Sequence, residues 1–162
     1  MTPSKLTGIV VALGLGAGCS ALDPAFGDLA APAPAVDAGA AADGGPVSFA
    51  LDIRPLMNRS ATDPTGHGCK ACHYATQPEH VGLDLGGLDL TTLGTLRLGG
   101  ATSGAKVVIP GDPADSVIVQ KLLGTYYFGA RMPRDGPAYW SADEIAIMEQ
   151  WISEGAMGAD DE

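Results

Sequence analysis

Apolar residues recur at helical spacing in two stretches, and these predict a helix near each end of one folded domain. The first stretch, 48–58, has its apolar positions at Phe49, Ile53, Leu56 and Met57. The last, which begins at Ser141 and ends at Gly155, has them at Ile145, Met148, Trp151 and Ile152. Such stripes are typical of helices that bury one face. Ser48 can cap the first helix, which Pro55 is expected to shorten or kink, and Ser141 forms a capping box with Glu144 in the second.

Three shorter elements are expected between these two helices. They are a short helix capped by Thr91 or Thr92 and stopped by Gly99-Gly100, an extended segment at 106–110, and a helix with Asp112 as its N-cap and Gly124 at its end. Pro113 suits the first position of that last helix, because a residue there needs no backbone donor. The segments 60–68 and 126–133 are predicted as loops.

Composition divides the chain into four parts. Residues 1–19 resemble a bacterial lipoprotein signal peptide, in which Lys5 precedes a short apolar core and Gly16-Ala17-Gly18-Cys19 resembles a lipobox. The alternative is an ordinary secretory signal cleaved nearby, for example after Ala21. Residues 20–46, rich in Ala, Pro, Gly and Asp, are predicted to form a disordered tether. A folded domain at 47–157 and an acidic tail at 158–162 complete the chain.

The leader predicts export, with acyl chains on Cys19 anchoring the protein to the periplasmic side of a bacterial membrane or to the cell surface. Residue 20 is Ser rather than Asp, which favours the outer membrane over the inner one. The net charge of −10 argues against nucleic acid as a partner. The acids are concentrated in 141–162, which holds seven of them and no Lys or Arg.

The motif that carries chemistry is Cys69-Lys70-Ala71-Cys72-His73, a Cys-x-x-Cys-His attachment signature for c-type haem. Each thiol can add to one haem vinyl group, and the imidazole that follows can bind the iron. Three other interpretations remain open. They are a zinc site made by His67, Cys69, Cys72 and His73 or His80, a redox-active cysteine pair, and a plain disulfide.

A haem iron held by His73 has a sixth position to fill. The candidates are Met57, Met132, Met148, Met157, His67 and His80. Met132 is favoured, because it lies in a loop between two helices, is fixed by Pro133, and can present its thioether without distorting a helix. Met57 and Met148 lie on helical stripes, where methionine usually fills the core.

A series of short segments occurs in a characteristic order. They are Asp52-Ile53-Arg54-Pro55, Cys69-Lys70-Ala71-Cys72-His73, Gly87-Leu88-Asp89-Leu90, Val108-Ile109-Pro110-Gly111-Asp112-Pro113, Arg131-Met132-Pro133, Ser141 through Glu144-Ile145 to Trp151-Ile152, and Gly155-Ala156. With them, the run from 49 to 157 resembles a small monohaem c-type cytochrome domain of the planctomycete type. Arg134 departs from the pattern, since relatives often have a second proline there.

This resemblance implies an all-α cytochrome c fold, with the N- and C-terminal helices packed around a covalently attached haem. It implies one haem c per chain, bound through Cys69 and Cys72, with His73 and Met132 as the axial ligands. The expected function is electron transfer to and from redox partner proteins that the sequence does not identify, rather than enzymatic catalysis. The alternatives are a haem-based sensor or enzyme with an open or labile sixth site, and a lipoprotein with a structural zinc.

Overall fold

The computed structural model describes residues 45–162, and every regular element in that range is helical, with no β-strand. The first helix, α1, consists of a π-helical turn (Phe49–Ile53) continued by an α-helical turn (Arg54–Met57). The others are α2 (Lys70–His73), α3 (Val81–Gly86), α4 (Leu93–Leu98), a 3₁₀ turn (Gly104–Val107), α5 (Val117–Leu123) and α6 (Ala142–Ser153). The all-α prediction is confirmed for these residues.

The predicted start of the first helix is confirmed, and the structure shows how that helix accommodates its proline. The Ser48 hydroxyl accepts a hydrogen bond from the Leu51 N–H. Arg54 donates to the carbonyl of Phe49, five residues back, and the tighter α-helical pattern begins at Arg54, so that Pro55 is the second residue of the α-helical turn. The hydrogen bonding thus changes from the π- to the α-helical pattern at the proline.

The first and last helices meet in the core. The Phe49 and Trp151 rings lie 5.1 Å apart between centroids. The predicted stripe of α6 is wholly buried, and the capping box of Ser141 and Glu144 has both of its hydrogen bonds. Helix α6 packs against both the π-helical turn of α1 and helix α5. Apolar burial at this junction stabilises the domain from both ends of its sequence.

Two local predictions were wrong. The segment 106–110 is not extended throughout, because the 3₁₀ turn includes Val107 and only Val108 begins extended backbone. Helix α5 begins after Ser116, not at Asp112, whose carboxylate accepts from the Asp115 N–H and so caps an isolated turn. The buried Ser116 hydroxyl separates turn from helix, since it donates to the Asp112 carbonyl at 2.7 Å and accepts from the Ile109 N–H at 2.8 Å.

The acidic segment 158–162 packs on α4 rather than extending from the domain. Helix α4 begins at the predicted cap Thr92, and its first two N–H groups donate to the Glu162 and Asp160 carbonyls at 2.7 and 2.9 Å. These bonds satisfy donors that a helix start leaves free. The leader, Cys19 and most of the tether lie outside the described residues. Within 45–162 there is no helix of the length and hydrophobicity needed to cross a bilayer.

Candidate haem-binding site

A cavity of about 330 Å³ lies between α2, α3, α5 and the loop that follows α5. Its wall is formed mainly by apolar side chains, among them Leu88, Val107 and Ile118. Cys69, Cys72, His73 and Met132 all line it, although Met132 follows His73 by 59 residues (132 − 73). The structure thus brings together the four side chains that were predicted to hold a haem. A largely apolar cavity with a few polar groups is the usual form of a cofactor site.

One helical turn arranges the attachment motif. The Cys69 N–H donates to the Met57 carbonyl at 2.8 Å, and the His73 N–H donates to the Cys69 carbonyl at 3.1 Å. Both thiols are free. Burial raises the pKa of Cys69 to about 12, and burial followed by the nearby Asp135 carboxylate raises the pKa of Cys72. Redox-active cysteines have lowered pKa values, so these surroundings do not support a reactive dithiol.

A backbone carbonyl orients the His73 imidazole. Its Nδ1 lies 3.0 Å from the Leu88 oxygen, to which it donates, and this bond leaves Nε2 as the nitrogen available to a metal. Burial lowers the pKa of His73, which favours the neutral, ligating form. Leu88 belongs to the Gly87-Leu88-Asp89-Leu90 segment, but the sequence did not identify its carbonyl as the partner.

The neighbour of the imidazole in α3 is Gly82. A β-carbon at position 82 would lie 2.7 Å from His73 Nε2 and Cε1 and 2.9 Å from the Cys72 carbonyl oxygen. Only a residue without a side chain allows this approach. Gly82 begins the segment Gly82-Leu83-Asp84-Leu85, which is nearly repeated at Gly87-Leu88-Asp89-Leu90, and nothing in this repeat points to contact with the histidine.

The Met132 backbone is held against α5. Its N–H donates to the Lys121 carbonyl at 2.9 Å. The preceding Arg131 donates from Nε to the Leu122 carbonyl at 2.7 Å and stacks on Tyr139, with the guanidinium carbon 4.0 Å from the ring centroid. These contacts fix the loop at two positions, Met132, which carries the thioether, and Arg131, which precedes it.

The other three methionines of the described residues lie elsewhere. Met57 and Met148 are fully buried in the core, and Met157 is 70% exposed. None of the three belongs to the cavity wall formed by the described residues. Met132 is therefore the methionine that the fold presents to the cavity.

The two other histidines have partners of their own. His80 lies outside the cavity wall, with Nδ1 3.0 Å from the Asp84 carboxylate. His67 does line the cavity, but its Nε2 accepts from the Ala138 N–H at 3.3 Å and its carbonyl accepts from the Trp140 indole at 3.0 Å. His67 thus connects the segment before Cys69 to the chain that enters α6.

The zinc interpretation requires three or four ligands at one point. In the part of the chain that the structure describes, no three His, Cys, Asp or Glu side chains form a group that could hold a metal ion. The arrangement of His67, Cys69, Cys72, His73 and His80 therefore gives this interpretation no support.

Comparison of the chain with protein-family models, with curated proteins and with solved structures gave no match.

Proposed function

We propose that this chain is a monohaem c-type cytochrome that carries electrons. One haem c is attached through Cys69 and Cys72, with His73 and Met132 as axial ligands. The observation that supports the proposal most directly is the composition of the cavity wall, which unites two free thiols, an imidazole and a thioether in mainly apolar surroundings. This donor set is the one that a His/Met c-type haem requires.

When bound, haem supplies a reversible one-electron couple at its iron. The protein residues anchor and orient it. The thiols of Cys69 and Cys72 lie on one helical turn, as two anchors to one ring require. The Leu88 carbonyl fixes the tautomer of His73, and apolar residues such as Ile118 and Val107 exclude water. Met132 would supply the second protein ligand to the iron, and an iron held by both side chains would leave no open site for a substrate.

The proposal includes the cellular setting. A lipid on Cys19 would hold the cytochrome at a membrane surface, and the partners would be other redox proteins. Exposed Lys70 and Arg134 are available to attract an acidic partner. The Arg131 guanidinium is held in place by the Leu122 carbonyl and the Tyr139 ring.

Optical spectroscopy of the exported protein tests the proposal, with wild type compared with Met132→Ala and with Met157→Ala as the matched control. We expect one covalent haem per chain and a weak far-red methionine–iron band in the ferric wild type and in Met157→Ala. Met132→Ala should lack the band. If haem is bound but none of the three proteins shows the band, the sensor or enzyme alternative is favoured instead. Absence of haem from the exported wild type would overturn the proposal.

A further inference from the structure

We infer that Lys121 is a positioning residue that holds the Met132 loop in its ligating shape. This inference rests on the proposed function, because it concerns how firmly Met132 is presented as an axial ligand. Lys121 lies on α5 and lines the cavity, but it is not itself placed among the ligands.

The Lys121 side chain spans the loop. Its ammonium donates to the Phe128 carbonyl and, at 3.3 Å, to the Ala130 carbonyl. The same ammonium lies 5.0 Å from the centroid of the Tyr126 ring. One charge thus contacts three residues of a five-residue segment, 126–130. Hydrogen bonds from a charged donor are about twice as strong as neutral ones, so this contact is a substantial constraint on the loop.

The Lys121 backbone holds the end of the same loop. Its carbonyl accepts the Met132 N–H at 2.9 Å. The side chain therefore fixes the middle of the loop while the main chain fixes the residue that carries the thioether. A side-chain substitution removes the first constraint and leaves the second in place.

The loop has few other means of keeping its shape. Residues 127–130 are all exposed, including Phe128 at 59% and Tyr127 at 87%. Gly129 has a φ of +70°, a conformation that adds local freedom. Segments with little burial and few hydrogen bonds open at low free-energy cost. Without the ammonium, the Phe128 and Ala130 carbonyls lose the side-chain donor that the structure gives them.

The experiment measures how easily an external ligand displaces Met132. Imidazole is titrated into the ferric holoprotein, and loss of the far-red methionine–iron band reports displacement. Loss of one charge-assisted hydrogen bond corresponds to roughly a tenfold change in an equilibrium constant. We therefore expect Lys121→Leu to bind imidazole roughly tenfold more tightly than wild type. Lys121→Arg, which keeps the charge and the donors, should remain near wild type, and Lys121→Gln should lie between them.

Lys106→Leu is the matched control, because it removes the same charge from an exposed lysine of the adjacent 3₁₀ turn. Imidazole affinities unchanged in all Lys121 variants would overturn the inference. An equal shift in Lys106→Leu would also overturn it, since the effect would then come from net charge. If Lys121→Leu does not fold, the inference still requires Lys121→Gln to bind imidazole more tightly than Lys121→Arg. A wild type without haem or without the band would refute the proposed function instead.

Discussion

Gly82→Ala adds one methyl group against the proposed proximal ligand. The new β-carbon would lie 2.7 Å from His73 Nε2 and Cε1. Such a distance is not tolerated. The same β-carbon would also lie 2.9 Å from the Cys72 carbonyl oxygen, which belongs to the backbone of the attachment helix. Either the imidazole must rotate away from its bond to Leu88 or α3 must move. Both changes alter the direction in which Nε2 points.

The magnitude follows from two opposing terms. Alanine is favoured over glycine within a helix by about 1 kcal/mol. Inserting a methyl group into a packed site costs about 1–3 kcal/mol. Gly86→Ala should show only the helix preference for alanine. A β-carbon at position 86 has nothing within 4 Å, and Gly86 lies in the same helix as Gly82. The difference in unfolding free energy between the two variants should therefore be about 1–3 kcal/mol.

Denaturant unfolding of the two variants and of wild type measures this difference. The reduction potential of the holoproteins reports a change in the orientation of the His73 imidazole. We expect Gly86→Ala to equal or exceed wild type in stability. Gly82→Ala should be less stable than Gly86→Ala and should show a shifted potential, since the hydrogen bond to the Leu88 carbonyl is disturbed. Equal stabilities and potentials in the two variants would refute the role assigned to Gly82.

Two further predictions concern charged groups in the framework. Arg54→Leu should lower the unfolding free energy by about 2–4 kcal/mol, because Nη1 donates to the Tyr74 hydroxyl at 2.7 Å and the Leu90 carbonyl at 2.9 Å. A loss below about 0.5 kcal/mol in a denaturant titration would contradict this value. Burial alone would raise the pKa of Glu144, but the Arg59 guanidinium and the helix cap outweigh it and hold that pKa below its ordinary 4.5. The stability from this carboxylate is therefore present above pH 4.5 and lost as the pH falls through the lowered pKa. Glu144→Gln should cost about 1–2 kcal/mol at pH 7 and little once the pH lies below the lowered pKa, and a deficit constant with pH would contradict the assignment.

Local signals in the sequence predicted the elements whose chemistry is local. Ser48 and Ser141 cap the helices that follow them because their hydroxyls bond N–H groups three residues ahead. The stripe of α6 is buried because its spacing leaves one apolar face. Asp112 satisfied the same local rule, yet it caps a turn, since the buried Ser116 hydroxyl bonds back to its carbonyl. The start of α5 is thus set by the Ser116 side chain, which also accepts from the Ile109 N–H, seven residues earlier in the chain.

The acidic tail shows a second limit of pattern analysis. Three of residues 158–162 carry acidic side chains, and the sequence predicted only an acidic tail there. The main-chain carbonyls of Asp160 and Glu162 accept from the first two N–H groups of α4, and every residue type has such carbonyls. The Asp160 carboxylate adds an ion pair with Arg97 of the same helix. A pattern of side chains contains no information about which carbonyls meet which helix start. The fold supplies that information only when distant segments pack.

The distinction between side-chain patterns and main-chain contacts also applies to the candidate site. It indicates at which positions a substitution can change the properties of the site. The ligands themselves were predicted from spacing and from one proline, but both are held by main-chain carbonyls, Leu88 for His73 and Lys121 for Met132. Substitution at position 88 leaves its carbonyl in place, so the hydrogen bond to His73 should tolerate it. The side chain matters at two other positions. The proposed proximal ligand His73 packs against the space left at Gly82, and the loop of the proposed distal ligand Met132 is contacted by the ammonium of Lys121. If the proposed ligation is correct, Gly82→Ala acts on His73 and Lys121→Leu acts on Met132. Their effects on the reduction potential and on methionine displacement should then be separable, and nearly additive in the variant that carries both substitutions.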